Sequence, residues 1–536
     1  MSRPIGGPRG GLTGTGRLVR LALRLDRIRL AVWVLVLSVM PMATAAQYKE
    51  LYPSMASIEA VRSVFTNPSL IALNGPLYRV SIGGMTAWKI LVTEVILVGL
   101  MSIFTVVRHS RAEEENGRLE LLGATVVGRY APLTAALLTA LLANAAIALL
   151  MALFLLTTGL GTAGAFGLGL AVGLVGVVMS AVAAVTAQLT QSARGATGLA
   201  VSVLGAAYLL RAVGDTGPHW LTWISPIGWA LELRAYSGER WWVLAPAAGL
   251  AAVLLAVAYD IVARRDLGAG VLAQRPGPAR ASAGLRGPLA LAWRLQWANL
   301  LGWAIGLAAS GAVLGGAADS LTGQSSTNQQ LTEILTRMGG EKGLTDAFLA
   351  AVYGIIGLTA AAYTVQSTNR LREEESSGRA EPLLVTGVTR FRWAASHLVI
   401  ALLGTAGLLA VAGVAGGLVY GAEVGDLGGQ TGRVLGAALV QVPAAWVFAG
   451  LGVALFGLAP RLIGLNWAVL VVCVVLLELG ALLGLDPTVV GVSPFAHVPK
   501  LPGSAFAVAP LAVLTLIAAL LAAGGLFAWR RRDLAT

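Results

Sequence analysis

Lysine is nearly missing from this chain: Lys49, Lys89, Lys342 and Lys500 are the four among 536 residues, and they precede Glu50, Ile90, Gly343 and Leu501. A phosphate-binding loop of the GxxxxGK[ST] type needs a Lys followed by Ser or Thr, so no such loop exists in the chain. Cysteine occurs once, at Cys473 inside an apolar run. This excludes an intramolecular disulfide and a CxxC redox or metal motif, and the thiol reads as a small buried core residue. The four histidines, His109, His219, His397 and His497, are scattered singly near the ends of apolar segments, so no metal site is expected. Charge is scarce too, at 12% of residues.

Apolar sequence fills the space that charge leaves. Hydrophobic residues make up 57% of the chain and the mean hydropathy is +0.77, far outside the range of soluble domains. Charges sit in short patches between apolar runs of roughly 18 to 25 residues, the length that crosses hydrocarbon as a helix. About twelve spans are expected, near 31–48, 88–107, 131–157, 165–190, 196–214, 243–263, 298–316, 346–366, 393–419, 433–458, 462–484 and 506–529. The fold class is therefore an all-α polytopic membrane protein.

The net charge of +12 does not point to nucleic acid, because its distribution follows the membrane. With both termini on the cytoplasmic side, 27 of the 38 basic residues fall in inside segments, as the positive-inside rule requires. The first 30 residues read as neither a cleaved signal nor a transit peptide, since arginines run directly into a span with no small-residue cleavage site. Residues 1–16, rich in Gly, Pro and Thr, are expected to be disordered. Residues 17–30 place Leu18, Leu21, Leu25 and Ile28 on one helical face with arginines around the other. Such a helix lies in the headgroup layer against anionic membrane lipid.

The chain is duplicated. RAEEENGRLELLGATVVGR from Arg111 recurs 261 residues later as REEESSGRAEPLLVTGVTR from Arg372. Without a gap, Arg111, Glu113, Glu114, Gly117, Arg118, Glu120, Thr125 and Arg129 fall on Arg372, Glu374, Glu375, Gly378, Arg379, Glu381, Thr386 and Arg390. Other markers recur in the same order: Arg24 to Trp33 as Arg294 to Trp303, Ser225-Pro226 as Ser493-Pro494, and Arg264-Arg265-Asp266-Leu267 as Arg531-Arg532-Asp533-Leu534. Six spans per half is an even number, so the repeat is expected to be parallel, with a cleft between the halves. The expected domains are 1–16, a first half at 17–267, a flexible Pro/Gly/Arg-rich linker at 268–287 and a second half at 288–536.

Within each cassette an arginine follows a carboxylate at i,i+4, Glu114 with Arg118 and Glu375 with Arg379, the favourable helical orientation. Such pairs contribute only a few tenths of a kcal/mol, too little to explain a run of acids. A solvated helix end is the plain reading of one copy. Two copies in register, each with a Gly for a bend and a Leu121-Leu122 or Leu383-Leu384 pair, point to a short amphipathic helix that docks on a partner. Reversing Glu114 and Glu375 to Lys is then expected to uncouple that partner without unfolding the chain.

A span, then RxExExGxLExLL, then a further span resembles the coupling-helix region of ABC-2 type (type V exporter) permeases. Arg111, Glu113, Glu115, Gly117, Leu119, Glu120 and Leu122 carry the resemblance in the first half, and Arg372, Glu374, Gly378, Glu381, Leu383 and Leu384 in the second. The Pro usual after the leucines is absent from both copies. The two Ser-Pro segments before the last span of each half are similar to that family's outer re-entrant hairpin. The two-half format is similar to the permeases of actinobacterial polyketide-antibiotic exporters of the tetronasin-resistance type. The resemblance implies two copies of a separate ATPase subunit, which hold ATP and Mg and bind the two cassettes. It implies a bacterial inner-membrane exporter of a small hydrophobic or amphipathic compound, with no cofactor or enzyme activity of its own.

Acids within spans are the alternative power source, through proton coupling in an autonomous secondary transporter. Glu94, Glu478 and Asp260 are the residues in question; Glu94 aligns with Ile355 and none has a histidine or second acid in its span. Glu94 and Glu478 are also expected along a substrate path. Trp220, Trp223, Trp229, Trp241 and Trp242 cluster before the sixth span. They read as an interfacial aromatic belt, with Trp223 and Trp229 as substrate contacts on the sharper reading.

Overall fold

The computed structural model describes residues 11–53, 65, 68–119, 126–266, 268–272, 280, 284–318, 344–478 and 486–533. Its described residues are predominantly helical, with no strand among them, and the chain separates into two compact units, Met1–Gly277 and Pro278–Thr536.

The first unit begins with α1 (Thr15–Leu25) and α2 (Arg27–Leu51), then α3 (Pro68–Asn74) and α4 (Ile82–Val107). It continues with α5 (Ala131–Thr157), α6 (Thr162–Leu189), α7 (Ala193–Thr216), the short α8 (Trp220–Ile224) and α9 (Pro226–Glu232), and α10 (Leu244–Arg264). The second unit comprises α11 (Pro288–Gly316), α12 (Leu344–Ser376), α13 (Ala380–Val385), α14 (Arg390–Val424), α15 (Leu427–Leu439), α16 (Val442–Leu458), α17 (Leu465–Glu478) and α18 (Val508–Arg531). Among the described residues eleven helical segments are long and apolar enough to span a membrane, with α15 and α16 counted as one. The chain is an all-α multi-pass membrane protein. The span expected at 462–484 appears as the shorter α17, because residues 479–485 lie outside the described part.

Local chemistry sets the helix starts. Ser81 Oγ accepts from Gly84 N before α4, Ser192 from Gly195 N before α7, and Thr389 from Arg392 N before α14. Each satisfies one backbone donor that the first turn leaves open. In a membrane the helices gain nothing from hiding apolar surface from lipid, so close approach through small residues takes over. A Cβ on Gly169 of α6 would lie 2.3 Å from the Ala148 carbonyl oxygen of α5, and one on Gly311 of α11 2.3 Å from that of Ala412 in α14. α4 and α6 are the most buried spans of the first unit, while α2, α7 and α10 present much of their surface outward.

The chain before α1 departs from expectation. Residues 11–14 form a turn held by Gly128 N to Thr13 O and Tyr130 N to Gly11 O, both at 2.9 Å, so the disorder expected for 1–16 does not extend to them. α1 buries Ala22 and leaves Leu21 and Leu25 exposed, along with Ile28 at the start of α2. The start of the expected linker is likewise ordered: Leu272 N donates to Leu189 O at 2.8 Å.

Candidate functional site

α4 does not stop where its apolar stretch stops. It passes into a π-helical turn, Arg108–Ala112, and a last turn, Glu113–Glu115, before the chain reverses at Gly117 with φ +70. α12 carries the second cassette as unbroken helix to Ser376 and reverses at Gly378 with φ +71. The positive φ at both reversals explains why each copy has a glycine there.

At this bend each unit builds the same ion-pair clamp. Glu114 accepts from Arg265 on both oxygens (Nη1 to Oε1 2.9 Å, Nη2 to Oε2 2.7 Å), from Arg111 Nη1 at 2.7 Å and from Gly268 N at 2.6 Å. Glu375 accepts from Arg532 Nη2 at 2.7 and 2.9 Å and from Arg372 Nη1 at 3.1 Å. A second arginine in each copy completes the junction. Arg129 donates to the Val262 and Arg265 carbonyl oxygens, at 2.9 and 2.6 Å, and Arg390 donates to those of Trp529 and Arg532. These are carbonyls at the C-terminal ends of α10 and α18, where helices carry open acceptors and partial negative charge. The cassette is thus fastened to the end of the last helix of its own unit, twice.

This geometry corrects the pairing read from spacing. Arg118 bonds Glu113 at 3.1 Å and Arg379 bonds Glu374 at 3.3 Å, not Glu114 and Glu375. The latter two turn inward, with side chains 6% and 1% exposed, because two guanidinium groups draw each of them there. Arg118, Arg379, Glu381 and Val385 remain on the surface. Leu383 and Leu384 of α13 also face inward, against a core of Leu371, Trp393, Phe456 and Trp529. Their apolar face seats α13 on its own unit, so the docking face expected of them is a seating face. Glu120 and Leu122 lie outside the described residues. Glu115 reaches sideways, its Oε2 accepting from Ala193 N at the start of α7.

At the opposite end of the first unit, Glu232 is the hub of a second network. Its carboxylate meets Tyr78 Oη at 3.0 Å, His219 Nε2 and Arg234 Nη2 both at 3.1 Å, and Arg240 Nη1 at 3.0 Å. Burial, and then the neighbouring Glu232 carboxylate, push the Tyr78 phenol well above its ordinary range, so it stays a donor. Ser225 caps α9, accepting from Ile227 N and Gly228 N while donating to Ala207 O at 2.6 Å. Trp229 Nε1 donates to Trp223 O at 2.7 Å, and Trp223 stacks on Trp242 with centroids 5.4 Å apart. Trp220, Trp241 and Trp242 are exposed.

The three acids assigned to spans part company. Asp260 is exposed and paired with Arg264 at 2.8 Å. Glu478 ends α17 and its side chain lies outside the described part. Glu94 is fully buried midway along α4.

Sequence reading missed Arg129, Arg265, Arg390 and Arg532 as members of the site. The signal was present, since all four belong to markers that recur in both halves.

Comparison with known proteins bears on both the duplication and the fold. A family model described as the C-terminal domain of the multidrug efflux system permease Rv1217c matches twice, over residues 16–260 and 285–530. The multidrug efflux system permease protein Rv1217c of Mycobacterium tuberculosis (strain ATCC 25618 / H37Rv) is 46% identical over 526 residues, covering 98% of this chain and 96% of that protein.

Proposed function

The chain belongs to the family of the multidrug efflux system permease Rv1217c, and from that premise we propose that it is the membrane-spanning subunit of an ATP-driven drug exporter of the ABC-2 type. It carries hydrophobic or amphipathic compounds outward through the bacterial inner membrane, with both termini in the cytoplasm. The energy comes from a separate ATPase that holds ATP and Mg. The observation that carries this reading is the repeated clamp, which connects an exposed charged bend to the last helix of each unit. Two such bends offer two equivalent seats for two ATPase copies. Force applied at Arg118 or Arg379 passes through Glu113 or Glu374 into the bend, and through Glu114–Arg265 or Glu375–Arg532 into α10 or α18. The ion pairs suit this role because a buried, bidentate carboxylate–guanidinium pair fixes orientation as well as distance.

Co-purification with candidate ATPase subunits tests the reading. An ATPase that binds the intact chain, and whose hydrolysis rises with exported drug, is the expected result. Binding by no ATPase, with drug export continuing on a proton gradient alone, would overturn it in favour of a proton-driven secondary transporter. Glu94 is the observation on that second side, because an acid at mid-span is the usual seat of a proton relay.

A further inference from the structure

Glu94 stands apart from the other buried acids. Glu114, Glu232, Glu374 and Glu375 each meet at least one guanidinium. Glu94 has 0% exposure, and neither carboxylate oxygen has a hydrogen-bond partner among the described residues. It lies about 18 Å along α4 from Ile82 and a similar distance from Val107, at mid-span depth. The residues one turn away, Ile90, Leu91 and Val98, are buried and apolar.

The helices packed on α4 supply no counter-charge at that depth. α5 and α6 contain no charged residue, and α2 carries charge only near its ends, at Arg27, Arg29, Lys49 and Glu50. Arg194 and Arg211 of α7 lie toward its two ends, Arg211 paired with Asp215 at 3.2 Å, and Lys89 is five residues nearer the start of α4. In α2, which packs on α4, the buried Ser38 hydroxyl also lacks a partner. The second half has nothing equivalent, since the aligned residue is Ile355. A bare carboxylate in such surroundings is strongly unfavourable, so the group bears charge there only beside a partner that brings a positive charge of its own, and a cationic ligand that displaces the carboxyl proton is such a partner.

We infer that Glu94 is a recognition site for lipophilic organic cations: the positive group of an aromatic or amphipathic substrate pairs with its carboxylate while the apolar body lies among the neighbouring helices. The inference rests on the drug-transport reading but not on how transport is driven. It therefore stands or falls on equilibrium binding to the permease alone, without ATPase or gradient.

The purified full chain in lipid nanodiscs is titrated with tetraphenylphosphonium, a permanent cation, and with triphenylphosphine oxide, a neutral aromatic of similar build. The expected result is saturable cation binding that weakens at least tenfold in Glu94→Gln and is largely kept in Glu94→Asp, with the neutral probe unaffected. No saturable cation binding overturns the inference, as does an unchanged cation affinity in Glu94→Gln or an equal loss for both probes. A measurement on the unaltered chain guards against a variant that does not fold. Dicyclohexylcarbodiimide is expected to modify Glu94 from the membrane phase, and tetraphenylphosphonium to suppress that modification. Labelling of Glu94 that the cation leaves unchanged, or no labelling without it, also overturns the inference.

Discussion

Glu114 and Glu375 show how much a residue's meaning depends on what lies across from it. In sequence they belong to acidic runs that read as part of a docking helix; in three dimensions each is enclosed by two arginines. Glu114→Ala leaves two guanidinium groups without their carboxylate and is expected to cost about 3–5 kcal/mol, whereas Arg265→Ala leaves Glu114 its Arg111 partner and is expected to cost less. Thermal unfolding of the singles and the double checks this: the double variant is expected to lose much less than the sum, the mark of direct coupling. Reversal of Glu114 and Glu375 to Lys is accordingly expected to destabilise the chain, contrary to the reading from sequence. Arg118→Ala and Arg379→Ala provide the contrast. Both side chains are more than half exposed, so stability is expected to change by no more than about 0.5 kcal/mol. Drug-stimulated ATPase activity of the assembled complex is expected to fall severalfold in the pair of substitutions.

At the scale of elements, helix type and position were legible because a span announces itself by length and hydropathy. The expected span at 131–157 coincides with α5, and those at 165–190 and 243–263 differ from α6 and α10 by at most three residues at either end. The start of α9 at Ser225-Pro226 is a side-chain cap, Ser225 Oγ accepting from Ile227 N. The direction in which a face looks was not legible. Leu383 and Leu384 form an apolar pair whether α13 docks outward or seats inward, and only the aromatic core beneath it decides between them. The π-helical turn at Arg108–Ala112 was equally silent, since no residue type marks it. Close packing at the element scale gives a further test. Gly169→Val places side-chain atoms against the Ala148 carbonyl oxygen and forces α5 and α6 apart. A loss of about 1–3 kcal/mol is expected from overpacking of this kind, read as a lower melting temperature. Gly378→Ala meets no neighbouring atom but sits at φ +71, so it is expected to cost only about 1 kcal/mol of backbone strain. It redirects α13, and coupling is expected to suffer more than stability.

Across the whole molecule, duplication was the most legible feature and also the most consequential one. The family model matches twice, the chain divides into two compact units, and each unit carries one clamp. What sequence alone did not supply was the link between its own repeated markers. The cassette and the RRDL segment lie more than 130 residues apart in each half and recur in the same order, yet only folding brings Glu114 to Arg265 and Glu375 to Arg532. The two halves differ where they carry single acids, with Glu94 opposite Ile355. The duplication therefore preserves the ion-pair clamp and leaves the single acids of the spans free to diverge.

Native mass spectrometry of the complex purified with its ATPase tests the central claim most directly. The account predicts one permease chain with two ATPase subunits, falling to one subunit or none when the exposed residues of one or both cassettes, Arg118 and Arg379 with Glu381, are replaced. A complex with a single ATPase copy, or one whose composition ignores both cassettes, would contradict it.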